Sequence, residues 1–422
     1  MSYGNLSEYF KGVSTKTLTL VDAKKLKEGQ RGSNQHEIGG PKAEWNRFTQ
    51  ILGDEPRRMK QGNGIPTRYI YLNSEQETIA EEGQCTWYDP RARDPKRSAE
   101  WRVYYQTNAV TQAMEPGDQL FLAKMKDDYL LFIVVAEGSE LVERLRYLFG
   151  LGVQGELEVT VQDFSENDPE MDFLTRFILD EIGIEFEDPD ANNLDTIIEP
   201  FGLVFPTTKV FSDLARQTLP EVNALDDPDV AIMAWLDHEE ALFRRLEARV
   251  VSDRLASGWL DENLVADVDG FIKYSLSVQN RRKSRMGHSL EKHLVAVFDA
   301  YGLRYDEQKK TEKGKKPDFI FPGIEEYFDT DFNVDLLTML AAKSTCKDRW
   351  PQVLPEAERL KHKHLVTLEP GISESQTDTM RSSLVQLIVP SSIQRSYTEK
   401  QRDWLWDVSD FVGLVKRRQE VM

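Results

Sequence analysis

Two charged residues sit where short apolar runs begin or end. In "KKPDFIFPG" Asp318 follows Pro317 and opens an apolar stretch, and the run "VDLLTMLAAK" ends on Lys343. A carboxylate and an ammonium at the ends of neighbouring strands supply half of what metal-assisted phosphodiester hydrolysis needs: oxygen to hold a hard divalent cation, and a positive charge to orient water and neutralise developing charge. A Pro-Asp pair taken alone is more often a turn. Metal-dependent nucleases usually set a second carboxylate two residues before the lysine, and here that position is Ala341. Two acids could replace it. Glu356 lies thirteen residues after Lys343, and Pro355 before it predicts a helix whose first turn would carry it. Glu291 lies on the helix predicted for "SLEKHL". Each has a plain structural reading, as a first-turn acid favoured by the helix dipole or as part of a solvated helix face.

Basic groups surround these acids. "NRRKSR" brings Arg281, Arg282 and Arg285 just ahead of the Glu291 helix, as a phosphate clamp or a solvated loop, and "KKTEKGKK" ends on Lys315 and Lys316, candidates for phosphate contacts without sequence information. The 422-residue chain carries a net charge of −19, which ordinarily speaks against nucleic acid, but the charge is unevenly spread. Residues 156–200 hold fifteen Asp and Glu against Arg176 alone, whereas residues 281–318 hold eleven Lys and Arg against six acids.

Those groups need two scaffolds. With 40% apolar and 30% charged residues the composition is globular, and the length predicts two domains. Residues 1–150 read as mostly β: "RYIYL", "WRVYYQTN", "DQLFLAKM" and "YLLFIVVAEG" are aromatic and β-branched, and "SELVERLRYLFGL" predicts a closing helix. Residues 151–202 form an acidic junction, with "DFLTRFILDEIG" helical and "EFEDPDANNLD" a loop. Residues 203–422 predict an α/β domain. Its helices are "VFSDLARQTL", "DVAIMAWLDHEEALFRRLEARVV", "SLEKHLVAVFDAYGL" and a single final one over "EKQRDWLWDVSDFVGLVKRR", and they flank a mixed sheet of four or five strands. Cys85 and Cys346 are the two cysteines, which excludes a disulfide framework or zinc cluster and suits a reducing cytosol; Cys346 reads as a packing residue. The first residues lack a signal-peptide core and no stretch approaches a membrane span, so a soluble cytoplasmic protein is expected.

The segments "SVQNRRKSRMGHSLEKHL", "KKPDFIFP", "KSTCKDRW" and "LIVPSS" together resemble the catalytic domain of the EcoRII family of type II restriction endonucleases, with interruptions from about Phe205 onward. The resemblance implies a prokaryotic restriction-modification enzyme with a variant PD-(D/E)XK fold whose second carboxylate has moved thirteen positions past the lysine. By that carry-over Asp318 and Glu356 bind Mg²⁺, Lys343 positions or activates water, and Glu291 supports the metal site. Lys347, Asp348 and Arg349 match the family's sequence-reading triplet, which is physically sensible: Lys and Arg donate to guanine O6 and N7, and Asp accepts from cytosine N4. Tyr327 also matches a family tyrosine and reads as a core or loop residue. A homodimer on double-stranded DNA is implied, cutting a C/G-rich site related to CC(A/T)GG. The N-terminal half resembles the family's pseudobarrel effector domain, where "CTWYDPRARDPKRSAEWRVYY" would bring Arg91, Arg93, Lys96, Arg97 and Arg102 to DNA. Two alternatives stay open: a non-cleaving DNA-binding sensor, and a nuclease specific for modified DNA.

Overall fold

The computed structural model describes residues 5–23, 36–73, 78–94, 96–151, 159–169, 171, 175–176, 178–179, 191–260, 265–346 and 349–422. The chain divides into two units, Met1–Phe186 and Glu187–Met422.

The first unit is mostly β, as its aromatic and β-branched runs predict. Its strands are β1 (Phe10–Thr17), β2 (Glu37–Ile38), β3 (Ile65–Leu72), β4 (Ile79–Tyr88), β5 (Arg102–Tyr104), β6 (Gln119–Met125), β7 (Leu130–Val135) and β8 (Val159–Asp163). They form one sheet in the order β2-β5-β4-β3-β7-β6-β1-β8, in which β3 and β7 run parallel and the other neighbours antiparallel. β8 lies inside the acidic stretch and pairs Val13 with Gln162. The helix Lys42–Leu52 buries Trp45, Phe48 and Ile51, setting Phe48 edge-on to Trp87 in the core. Gly12 admits this helix to β1, because a Cβ there would lie 2.5 Å from both Ile51 Cδ1 and Gln162 O. The closing helix is Leu141–Leu148. Of "DFLTRFILDEIG", Thr175–Arg176 and Ile178–Leu179 are helical and its other residues lie outside the described residues, as do 185–190 of the predicted loop "EFEDPDANNLD"; residues 191–195 of that loop are instead the start of a helix, Ala191–Ile198.

The second unit is α/β. Helices Thr208–Gln217, Pro228–Ala256, Val268–Ala300, Glu374–Ser382 and Val408–Glu420 surround a five-stranded sheet of β9 (Asp306–Glu307), β10 (Phe319–Phe321), β11 (Thr338–Lys343), β12 (Lys363–Thr367) and β13 (Val385–Ile388), ordered β13-β12-β11-β10-β9. The first three strands in that order are parallel and the last two join antiparallel. Asp227, Asp267, Ser373 and Asp407 cap four of the helices by accepting backbone N–H bonds. The long helix docks through Phe298, whose ring lies 5.2 Å from both Phe319 and Phe321; Phe321 in turn lies 5.6 Å from Phe411.

Two predicted helices of the second unit differ in extent. The single final helix is two, Glu399–Arg402 and Val408–Glu420. Trp406 breaks it by bonding to β13 on both sides, its N–H to Leu387 O at 3.1 Å and its carbonyl to Val389 N at 2.8 Å. "NRRKSR" is no loop ahead of the Glu291 helix but lies within it: with no Pro in that span and only Gly270, in its first turn, and Gly287 to weaken it, Val268–Ala300 runs unbroken.

Candidate active site

β10 and β11 position the first pair. Phe319 pairs with Leu340 in antiparallel register, so Asp318 stands opposite Ala341. Its Oδ2 accepts from the Ala342 N–H at 2.7 Å and from Lys343 Nζ at 2.8 Å. Asp318 is 8% exposed and Lys343 half-buried, so both charges are partly desolvated and each compensates the other. Alternation along β11 puts Ala341 and Lys343 on the same face. Glu356, the candidate second carboxylate, reaches the neighbourhood from a turn.

That turn corrects the helix predicted from Pro355. A short 3₁₀ segment, Trp350–Val353, is followed by irregular turns through Arg359, and Ala357 takes φ +48°. A left-handed residue one position after Glu356 ends any helix that Pro355 could start. Burial pushes the Glu356 carboxyl up to about 7, against the pull of the Lys343 ammonium, and the Asp318 charge raises it further. Among the described residues its buried Oε2 meets no hydrogen-bond donor.

Glu291 arrives from the long helix. It precedes Phe298 by seven residues, two helical turns, so the face that packs Leu294 and Phe298 also carries Glu291 toward the sheet. Burial raises its carboxyl and the Asp318 charge adds to this, which brings the third acid into the same field. Gln308 links them: its backbone N–H donates to Asp318 O at 3.0 Å and its side-chain Nε2 to Glu291 Oε2 at 3.0 Å.

The arginines of "NRRKSR" separate. Arg285 is buried, paired with Glu239 and stacked at 4.3 Å on both Phe211 and Phe243. Glu239 also accepts from Ser289 at 2.6 Å and lies 2.9 Å from His293, and despite its burial these partners hold its carboxyl below the usual range. Arg285 is therefore committed to the interior, and its expected place on the DNA backbone falls away. Arg282 pairs with Glu247 at 2.6 Å while staying partly exposed, and Arg281 lies 4.0 Å above the Phe205 ring. Lys315 and Lys316 are exposed, and Lys315 lies close enough to act on Glu356.

Past Lys343 the chain forms a loop. Cys346 is fully buried; its N–H donates to the buried Glu369 carboxylate at 2.6 Å, and its carbonyl accepts from Arg349 N at 2.9 Å. Arg349 is exposed and donates to Thr345 Oγ1 at 2.7 Å. Lys347 and Asp348 lie outside the described residues. Tyr327 is buried, its hydroxyl donating to Glu312 at 2.7 Å, which makes it a structural brace.

In the first unit Arg102 is held by Glu37 at 2.7 Å and Glu100 at 2.6 Å, Glu100 also pairs with Arg91, and Arg97 lies 3.9 Å from Asp94. Arg93 and Lys96 are exposed. The five expected DNA-contact residues thus share one loop and strand edge, but three of them, Arg91, Arg97 and Arg102, are tied to acids.

An acid and a lysine are thus presented by adjacent strand ends of a five-stranded mixed sheet surrounded by helices, an α/β arrangement. Residues 243–412 match the family model described as EcoRII C terminal. A 232-residue segment is 39% identical to the type II restriction enzyme EcoRII of Escherichia coli, covering 55% of each chain. A 215-residue segment is 26% identical to the type II restriction enzyme SsoII of Shigella sonnei, covering 45% of this chain and 68% of that one. The chain thus spans only about half the length of EcoRII. Among solved structures, metal-depleted Ecl18kI in complex with uncleaved, modified DNA is similar over 54% of this chain and 83% of its own, with 19% identity and TM-score 0.42. A PspGI–substrate DNA complex is similar over 52% and 95%, with 16% identity and TM-score 0.43.

Proposed function

We propose that this chain is a Mg²⁺-dependent, site-specific double-stranded DNA endonuclease of a type II restriction-modification system. One observation carries the reading: the Asp318–Lys343 pair, at the ends of β10 and β11, shares its electrostatic field with a Glu356 carboxylate whose buried Oε2 meets no donor among the described residues. An ionised oxygen kept partly dry and unbonded is an unfavourable arrangement unless a cation completes it. Among the described residues no group of three or more His, Cys, Asp or Glu is arranged to hold a metal. An all-oxygen pair of carboxylates nevertheless suits Mg²⁺, which keeps several waters and takes one or two carboxylates plus phosphate oxygens.

Asp318 and Glu356 would hold the ion, which supplies Lewis acidity and an activated water when bound. Lys343, fixed by Asp318, presents a charge that neutralises the scissile phosphate and orients the attacking water. Glu291, held by Gln308, stands behind Asp318 and adds negative charge that favours a cation. Arg281, Arg282, Lys315 and Lys316 engage the DNA backbone, and Lys347, Asp348 and Arg349 read a C/G-rich sequence of the CC(A/T)GG type in the major groove.

A two-fold site needs two active sites, so the working form is a homodimer. Val268, Ile272 and Leu276 support this reading: they are exposed at four-residue spacing on the long helix, an apolar stripe that a second copy would cover. The first unit, with Arg91, Arg93, Lys96, Arg97 and Arg102 at one edge, binds DNA and regulates cutting. No helix among the described residues is long and apolar enough to cross a membrane, and a prokaryotic cytoplasm is the expected setting. Digesting phage DNA in Mg²⁺ and sequencing the fragment ends tests the proposal: a single recurrent site with fixed stagger is expected, and ends scattered without sequence preference would overturn it.

A further inference from the structure

A carboxylate two residues before Lys343 would be held in place by the sheet itself. Glu356 sits on a turn, where nothing in the local sequence gives comparable rigidity. The structure supplies it from the start of β12. Lys363 is 4% exposed, and its Nζ donates to the carbonyl of Glu356 at 2.5 Å and to that of Ala357 at 2.6 Å. Its own N–H donates to Leu384 O at 2.9 Å, which anchors the clamp in the sheet. Burial lowers the ammonium pKa, while the charges of Glu312, Glu356 and Glu358 favour the protonated form. A second brace holds the far side of the turn. Glu358 N donates to Glu312 Oε2 at 3.2 Å, Arg359 N donates to Tyr327 Oη at 3.1 Å, and Arg359 Nη2 donates to Phe332 O at 2.8 Å.

We propose that Lys363 is a positioning residue for the candidate metal ligand Glu356, its ammonium clamping the two carbonyls of the turn so that the carboxylate is delivered to Asp318 and Lys343 from a fixed backbone. This rests on Glu356 being a metal ligand. A buried lysine spent on two backbone carbonyls costs desolvation that an apolar residue would avoid, and that cost is explained if the turn must not move. Misplacing a catalytic group by about 1 Å costs on the order of 10²-fold in rate.

The test follows Mn²⁺ binding to the full-length protein, read from loss of the free-ion electron paramagnetic resonance signal, for wild type, Glu356→Gln and Lys363→Met. Tm and metal-free DNA binding are measured alongside. Both variants are expected to weaken Mn²⁺ binding by about tenfold or more, with DNA affinity within about twofold of wild type. Lys363→Gln keeps a hydrogen-bond donor and should fall between wild type and Met; it also serves if the Met variant does not fold. A lysine that merely supports the fold would lower Tm and leave metal affinity unchanged, and that result for either Lys363 variant overturns the proposal. If instead Glu356→Gln binds Mn²⁺ as wild type does, the reading of Glu356 as a ligand fails first, and the clamp loses its purpose with it.

Discussion

Asp318 Oδ2 accepts two bonds at once, from the Lys343 ammonium at 2.8 Å and from the Ala342 amide at 2.7 Å, so one carboxylate oxygen fixes both the lysine and the strand that carries it. On the proposed reading its other oxygen is the one that would bind the cation. Asp318→Asn keeps the shape and removes the charge. Cleavage should fall by about a hundredfold or more, the scale of losing one preorganised electrostatic group. Steady-state rates on plasmid DNA check this, and a variant within threefold of wild type would show that Asp318 is a structural partner of Lys343 only.

Glu356 carries a stability signature. Its carboxyl titrates near 7 when folded, above the ordinary 4.5, so the folded state holds the proton more tightly than the unfolded one. Stability from this group is therefore fully present below about pH 4.5 and is lost as pH rises through about 7. Glu356→Gln removes the titration. Without divalent metal the variant should be more stable than wild type at pH 8, by about 2–3 kcal/mol, with the difference vanishing toward pH 4.5. Denaturant unfolding in chelator at the two pH values measures it. Equal stability at pH 8 would mean that the carboxylate is not strained in the metal-free site.

The two ends of "NRRKSR" should respond in opposite ways. Arg285→Ala leaves Glu239 buried without its guanidinium partner, and a loss of about 3–5 kcal/mol in folding stability is expected. Arg281→Ala should leave Tm nearly unchanged, weaken DNA binding across all sequences and reduce the salt slope of binding by about one. Fluorescence anisotropy across a salt series, with thermal unfolding on the same samples, separates them. A large loss of DNA affinity in folded Arg285→Ala would return that residue to the interface.

The loop after β11 is held through Cys346 N and Glu369. Glu369→Ala leaves that buried N–H without its acceptor, at a cost of about 1–3 kcal/mol, and frees the segment that carries the triplet. Discrimination between the cognate site and single-base variants should drop about tenfold or more, given that each good bidentate base contact contributes about 1–3 kcal/mol. Competition cleavage with mixed duplexes measures the ratio. Selectivity equal to wild type would show that the loop is ordered by other means.

Asp318 and Lys343 were legible because strand ends show in sequence: Pro317 starts one apolar run and a lysine closes the other. Four of the five strands of the second sheet and the mostly-β first unit followed from the same patterning, although β1, β2, β4, β8 and β9 and the helix Lys42–Leu52 carry weaker signals and went unassigned. Glu356 was one of two acids the sequence offered and was singled out by the family resemblance, but its turn was not legible, because Pro355 looks like a helix start and the left-handed Ala357 is invisible in residue type. Arg285 looked like a surface clamp since its partner Glu239 lies on another helix. Lys363, Gln308 and Glu369 left no signal. They act largely by holding backbone groups brought near only by folding, and no spacing rule describes that.

The direct test of the proposed chemistry is phage DNA incubated in Mg²⁺ with wild type and with Lys343→Ala, read on one gel beside a retardation assay of the same proteins. Discrete fragments from wild type, and no fragments from a variant that still retards DNA, are expected. Undiminished cutting by Lys343→Ala would contradict the assignment of the active site.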